Sequence, residues 1–294
     1  ETTGLPKKWN APISDSENWP RCVQLAWQLH DNNGKLISNQ SSIIKPDGFD
    51  IPFESEKVHG ISTVLANKIG ENLNDVLEKF NSDLSKAKYI VGHNLKFDIN
   101  IVGAEFFRSK MDNSLKEKNI LDTCTEKTAN LCQIQGRRGK FKFPTLIELY
   151  KYLFNDDFQQ AHNASADVEA TSRAFFELIK INNFNVNDFE DFNEIFNKLN
   201  SDTKDKVGLF GIKHLNLKYE SEKIKNETKE EVVTEIINKS DKTAGLENHF
   251  VHLHNNSQFS VLQSTSKIAD LVKKTSEMGM SAVALTDKAN MMGC

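Results

Sequence analysis

Glu1-Thr2-Thr3-Gly4-Leu5 opens the chain, and the reading of the whole sequence turns on it. An acid followed by two hydroxyl side chains and a Gly-led turn reads as the downstream half of a strand-to-loop junction. Glu1 then stands at the carboxyl end of a central strand, where the sites of open α/β sheets lie. Three more chemistry-bearing residues follow in order: Asp98, His162 and Asp167. Each has a plain explanation when taken singly. A terminal Glu is ordinarily solvated, and a His before a helix is commonly a surface residue. An Asp in a first helical turn stabilises the helix dipole by about 0.3–1 kcal/mol.

The 294 residues are 38% hydrophobic and 27% charged, the balance of a globular chain of one or two domains. The net charge is −4, with 37 Lys and Arg against 41 Asp and Glu. That excludes a basic coat for nucleic acid, so any such contact is a local groove, with metal ions supplying positive charge. Cys22, Cys124, Cys132 and Cys294 make no CxxC metal pattern, and so few cysteines fit a reducing compartment. No signal peptide and no apolar run of membrane length is visible, so the reading is cytoplasmic with no membrane partner.

Residues 20–27 and 35–45 read as paired strands joined by a turn at residues 31–34. Residues 59–62 read as a turn into a short helix, and residues 74–87 as an amphipathic helix carrying Val76, Leu77, Phe80 and Leu84. Residues 89–92 form a short apolar strand. The next helix, 97–108, places Phe97, Ile101, Ala104 and Phe107 on its inner face. Further helices open after Pro144 and at Ala164, and Ile120-Leu121-Asp122 reads as an edge strand whose Asp122 is structural. Strands followed by alternating helix and strand give a mixed α/β sheet with helices on its faces. Residues 182–247, rich in Asn, Lys and Glu, read as a partly helical tether. A β-α-β unit follows, with a helix over residues 268–278 that turns Leu271 and Val272 inward. The loop Gly136-Arg137-Arg138-Gly139-Lys140-Phe141-Lys142 is either a phosphate contact or a solvated turn.

Together the acids suit one chemistry. Carboxylates from several elements can hold two divalent ions about 3.5–4 Å apart and clamp the attacking and leaving oxygens of a phosphodiester. A neutral imidazole beside the attacking water takes its proton. The stretches Glu1-Thr-Thr-Gly-Leu5, Gly92-His-Asn-Leu-Lys-Phe-Asp98 and His162-Asn-Ala-Ser-Ala-Asp167 resemble the three motifs of the DEDDh 3′→5′ exonucleases. The resemblance covers about residues 1–181 and implies a ribonuclease-H-like fold. It also implies Glu1, Asp98 and Asp167 as ligands of two Mg²⁺ or Mn²⁺ ions, and His162 as general base. Thr2, Leu5 and His59 would hold the 3′-terminal nucleotide. The family's first motif is Asp-x-Glu, and the Asp two residues before Glu1 is not in this sequence. The chain reads as a fragment cut at both ends, inactive as written.

The stretches Phe250-Val-His-Leu-His254 and Met280-Ser-Ala-Val-Ala-Leu-Thr-Asp287 resemble the start of the PHP domain of bacterial DNA polymerase III alpha subunits. Asn256 and Lys288 stand where active members carry metal-binding His, which implies a structural PHP domain. The expected organisation is an exonuclease domain over 1–181, a linker over 182–247 and a truncated PHP domain over 248–294. The expected activity is proofreading of single-stranded or frayed 3′ DNA ends, beside replicase subunits such as the sliding clamp and its loader. Two alternatives stand: a separate DEDDh nuclease acting on RNA or repair intermediates, and a non-catalytic binding module.

Overall fold

The computed structural model describes residues 1–157, 163–184, 206–227, 255–256, 267–278, 280 and 282–286. They fall into two units, Glu1–Thr228 and Lys229–Cys294.

In the first unit, β1 (Gln24–His30) and β2 (Leu36–Ile43) pair antiparallel. Gly34 closes the turn between them with φ 75°, and its amide donates to the Asp31 carbonyl. The strand starts later than its sequence suggested because residues 21–23 pair with the N-terminal motif instead. Thr2 bridges Cys22 antiparallel, and the Val23 amide donates to the Glu1 carbonyl at 2.8 Å. Two short helices follow, α1 (Phe53–His59) and α2 (Thr63–Ile69), then α3 (Leu73–Lys86). The sequence reading missed α1, whose apolar residues Phe53 and Val58 are exposed and leave no helical stripe.

β3 (Tyr89–Gly92), α4 (Leu95–Arg108) and β4 (Asn119–Asp122) make a β-α-β unit with the strands in parallel register. A Cβ on Gly92 would lie 2.4 Å from the Leu95 side chain, so any larger residue there would displace Leu95 at the turn into α4. α5 (Glu126–Cys132), α6 (Leu146–Phe154) and α7 (Ala164–Lys180) complete the unit's labelled helices. Thr145 caps α6 through a reciprocal pair with Glu148.

Side-chain alternation on the strands builds three layers. Ile90 and Leu25 pack towards Leu77, Leu84, Val102 and Phe106 of α3 and α4. Tyr89, Val91 and Leu121 point the other way, onto Phe175, Phe176 and Ile179 of α7. α7 packs on both β1 and β3, which ties the two strand pairs together. Phe107, expected inside, is 51% exposed, while Phe106 is fully buried. Ile101 and Ala104 are buried as expected and Phe97 packs against the core, so the buried face of α4 is wider than expected: it takes in Val102 and Phe106 and leaves out Phe107.

Residues 206–227, placed by sequence within a tether, lie on the first unit. Leu217 and Ile224 are buried with Val23, Ile51, Ile61 and Leu65. The helical stretch 217–227 seats Ser221 between the Gly60 carbonyl, 2.6 Å away, and the Ser62 amide, 3.1 Å away. Gly60 takes φ 78°, and a Cβ there would meet the Lys218 backbone nitrogen at 2.9 Å. The apolar spacing of Leu217 and Ile224 within a charged run is what buries this stretch.

In the second unit, α8 (Ile268–Glu277) has no buried residue among those described; Val272, expected inside, is 53% exposed. Asn255 meets the segment after it: its carbonyl accepts from the Thr286 amide at 2.8 Å. The expected strand at 250–254, with His254, and residues Asp287 and Lys288 lie outside the described residues. Among the described residues no helix is long and apolar enough to cross a membrane.

Candidate active site

The backbone of Glu1 is clamped to the head of β1. Its nitrogen donates to the Gln24 carbonyl at 2.7 Å, and its carbonyl accepts from Val23. The next residues are fixed by their own hydroxyls: Thr2 Oγ1 donates to the Gly4 carbonyl, and Thr3 Oγ1 accepts from the Arg21 amide. Leu5 is left 74% exposed beyond the turn.

Asp98 lies in the first turn of α4. That helix begins at Asn94, held at φ 62° without a side-chain cap of its own. Asp122 supplies the cap, its carboxylate accepting from the amides of Asn94 and Leu95 at 2.8 and 2.9 Å and of Cys124 at 2.8 Å. The structural role expected of Asp122 is thus visible in its contacts. His93 is likewise fixed, between the Thr123 hydroxyl and the Pro144 carbonyl.

Asp167 lies in the first turn of α7, whose N-cap is Asn163. The sequence reading missed the device that holds this helix end beside Glu1. Gln24, 4% exposed, donates from its amide to Asn163 Oδ1 at 3.2 Å and accepts from the Ala164 amide at 3.0 Å. Asn163 in turn donates to the Leu215 carbonyl at 2.8 Å. The only sequence signal was an Asn directly before the helix. His162, the expected base, lies outside the described residues.

The three acids act electrostatically on one point, the backbone nitrogen of Glu1. The α-ammonium of Glu1 is deeply buried, and burial alone would lower its pKa. The pKa is nonetheless raised, because the carboxylates of Glu1, Asp98 and Asp167 and the Cys22 thiol surround it. Asp98 is exposed to solvent on one side, yet the protein packed around it pushes its pKa up to about 6. The nearby ammonium opposes that rise, while Glu1 and Asp122 add to it. Neither Glu1 nor Asp98 accepts a side-chain hydrogen bond from another described residue.

His59 closes the site from below. It is 3% exposed, and burial lowers its pKa to about 4, against a smaller opposing pull from Glu1 and the Thr2 backbone. Its Nδ1 accepts from the Ile61 amide at 3.1 Å, so the neutral ring carries its proton on Nε2. Nε2 is buried and has no hydrogen-bond partner among the described residues.

Among the described residues, no three His, Cys, Asp or Glu side chains stand close enough together to hold a metal ion.

Residues 1–175 match the Exonuclease family (RNase_T), and residues 252–294 match the PHP domain. A 44-residue stretch is 50% identical to DNA polymerase III subunit alpha of Aquifex aeolicus, covering 15% of this chain and 4% of that protein. The same length is 43% identical to the Mycobacterium tuberculosis subunit. The matched stretch is thus a small fraction of those relatives. Among solved structures, E. coli Exonuclease I in complex with a dT13 oligonucleotide aligns at 23% identity and TM-score 0.50, over 61% of this chain and 39% of that one. The complex with a dA16 oligonucleotide aligns equally well, with TM-score 0.50 over 62% of this chain. That likeness is one of fold, the ribonuclease-H-like α/β arrangement expected from the three motifs.

Proposed function

The chain belongs to the exonuclease family matched over residues 1–175, and from that premise we propose a 3′→5′ proofreading exonuclease carried at the head of a bacterial DNA polymerase III alpha-type chain. Its substrate is a single-stranded or frayed 3′ DNA end, and the products are nucleoside monophosphates. A mismatched terminus unpairs at lower cost and reaches such a site more often. The observation that carries the reading is that Glu1, Asp98 and Asp167, from three separate places in the chain, all exert their charge at the head of β1. The PHP stretch and its alpha-subunit relatives favour replication over a separate RNA nuclease. The sliding clamp and loader are the partners that setting supplies.

Glu1, Asp98 and Asp167 would hold Mg²⁺ or Mn²⁺, which would activate a water and neutralise charge developing on the phosphate. Thr2 and Leu5 would position the terminal nucleotide, and the neutral His59 offers a buried N–H beneath them. His162 stands one residue before the pinned Asn163 and would take the proton from the attacking water.

The test uses an extended chain that carries an Asp two residues ahead of Glu1. With Mg²⁺, the extended chain should digest a 5′-labelled single-stranded DNA from its 3′ end. His162→Ala should abolish the digestion; an undiminished rate in that variant rules out the base.

A further inference from the structure

Residues 7–19 form a loop between the N-terminal motif and β1 that the nuclease chemistry leaves unused. The loop is built rather than loose. Asn18, 5% exposed, grips Lys8 in both directions: its Oδ1 accepts from the Lys8 amide at 2.7 Å, and its side-chain amide donates to the Lys8 carbonyl at 3.0 Å. The Trp19 indole donates to the Pro12 carbonyl at 3.0 Å. The loop also docks on α4, where Ile13 lies beside Gly103 and Lys96 Nζ donates to Asn10 Oδ1 at 3.1 Å.

The grip on Lys8 presents Trp9. Its ring lies 5.7 Å from Phe97, tilted by 50°, and Phe97 directly precedes Asp98. Phe97 packs into the core beneath, so one aromatic ring backs the other. Trp19 and Trp27 are 3% and 8% exposed, whereas Trp9 is 52% exposed. Around it, the exposed Lys7, Lys8 and Lys96 form no ion pair with any described residue. In a chain of net charge −4, three lysines without an ion pair among the described residues, two preceding Trp9 in sequence and one bonded to Asn10 beside it, give this loop a local positive charge. Stacking rings combined with lysines that track a phosphate backbone are what a single strand requires.

We propose that Trp9, backed by Phe97 and flanked by Lys7, Lys8 and Lys96, is a stacking subsite for a base of single-stranded DNA next to the acidic site. This rests on the nuclease reading for its substrate class. The aromatic ring takes the face of a base without regard to sequence, and the lysines take the neighbouring phosphates. A strand held there is anchored upstream of the terminal nucleotide.

The experiment titrates a labelled oligo-dT into the 294-residue chain in EDTA, reading tryptophan fluorescence and label anisotropy together. Binding should quench the emission, since Trp9 is the one exposed tryptophan. Trp9→Ala should weaken affinity roughly tenfold, Trp9→Phe should restore most of it, and Lys7→Gln with Lys8→Gln should flatten the salt dependence. An oligonucleotide that does not bind, that binds without quenching, or that binds the Ala variant equally well overturns the subsite. Quenching and the Ala defect seen together with an extended chain that digests nothing would sink the nuclease reading and leave the subsite standing. Digestion by the extended chain with no Trp9 effect does the reverse.

Discussion

Glu105 and Asp98 stand two turns apart on α4, and their surroundings are opposite. Glu105 is 1% exposed and fully engaged: it accepts from the Cys22 amide at 2.7 Å and pairs with Arg21 and Arg108, each at 3.1 Å. Glu169 of α7 is similar, accepting from the Phe210 amide at 2.8 Å and from His214 Nε2 at 2.7 Å. Asp98 accepts no side-chain hydrogen bond from another described residue, and the protein packed around it raises its pKa to about 6. Satisfied acids tie distant segments of chain together, whereas Asp98, without such ties, is left to the proposed site. The fold and the site use the same residue type on the same helix, and hydrogen-bond supply separates the two roles.

The sharpest way to break this comparison is to exchange the losses. Asp98→Asn in the extended chain should reduce digestion by more than about a hundredfold, since even residues that only orient a ligand cost 10–100-fold. Its urea midpoint should hold or rise, because a crowded charge is gone. Glu105→Ala should behave in the opposite way. It strands Arg21, Arg108 and the Cys22 amide, and urea unfolding should show a loss of about 3–5 kcal/mol. Equal stability losses in the two variants would erase the distinction.

A smaller effect is expected at Glu169. Changing it to Ala leaves His214 and the Phe210 amide without their acceptor, for about 1–3 kcal/mol. Limited proteolysis should then cut within residues 206–227 sooner than in the parent. An unchanged cleavage pattern would mean that apolar burial of Leu217 and Ile224 holds that segment without help.

The smallest effect is in pH dependence, and it separates two site residues by sign. Asp98 ionises near 6 when folded and near 3.8 when unfolded, so the folded chain binds the extra proton between those values. Its contribution to stability therefore falls as pH rises across that window. His59 titrates near 4 when folded against 6.5 when unfolded, so its contribution rises with pH across 4 to 6.5. Midpoints measured from pH 4 to 7 should lose the fall in Asp98→Asn and lose the rise in His59→Asn. A slope unchanged by either substitution would contradict the assigned surroundings.

The distinction between these acids was only half legible in the sequence. Motif order brought out Glu1, Asp98 and Asp167 because each stands at an element end. Glu105 and Glu169 stayed hidden, since a Glu within a helix reads as a solvated face until its partner arrives from elsewhere in the chain. Arg21 and His214 supply those partners, and local pattern carries no trace of them. The same limit hid the docking of residues 206–227, where two apolar residues in a charged run decide the outcome. The strands and the longer helices were legible because their periodicity is local. On α4 only Phe107 was misplaced, because Phe106 and Phe107 are adjacent and alike; Ile101 and Ala104 are buried as the spacing implied.

The most direct test of the central claim is the thermal midpoint of the extended chain as Mn²⁺ is added. A site that binds only the folded state adds about 2.7 kcal/mol of stability at a hundredfold excess over its dissociation constant. The midpoint should climb with Mn²⁺ in the parent and stay flat in Asp98→Asn. A parent that does not respond, or a variant that responds equally, would show that these carboxylates are not built to hold a metal ion.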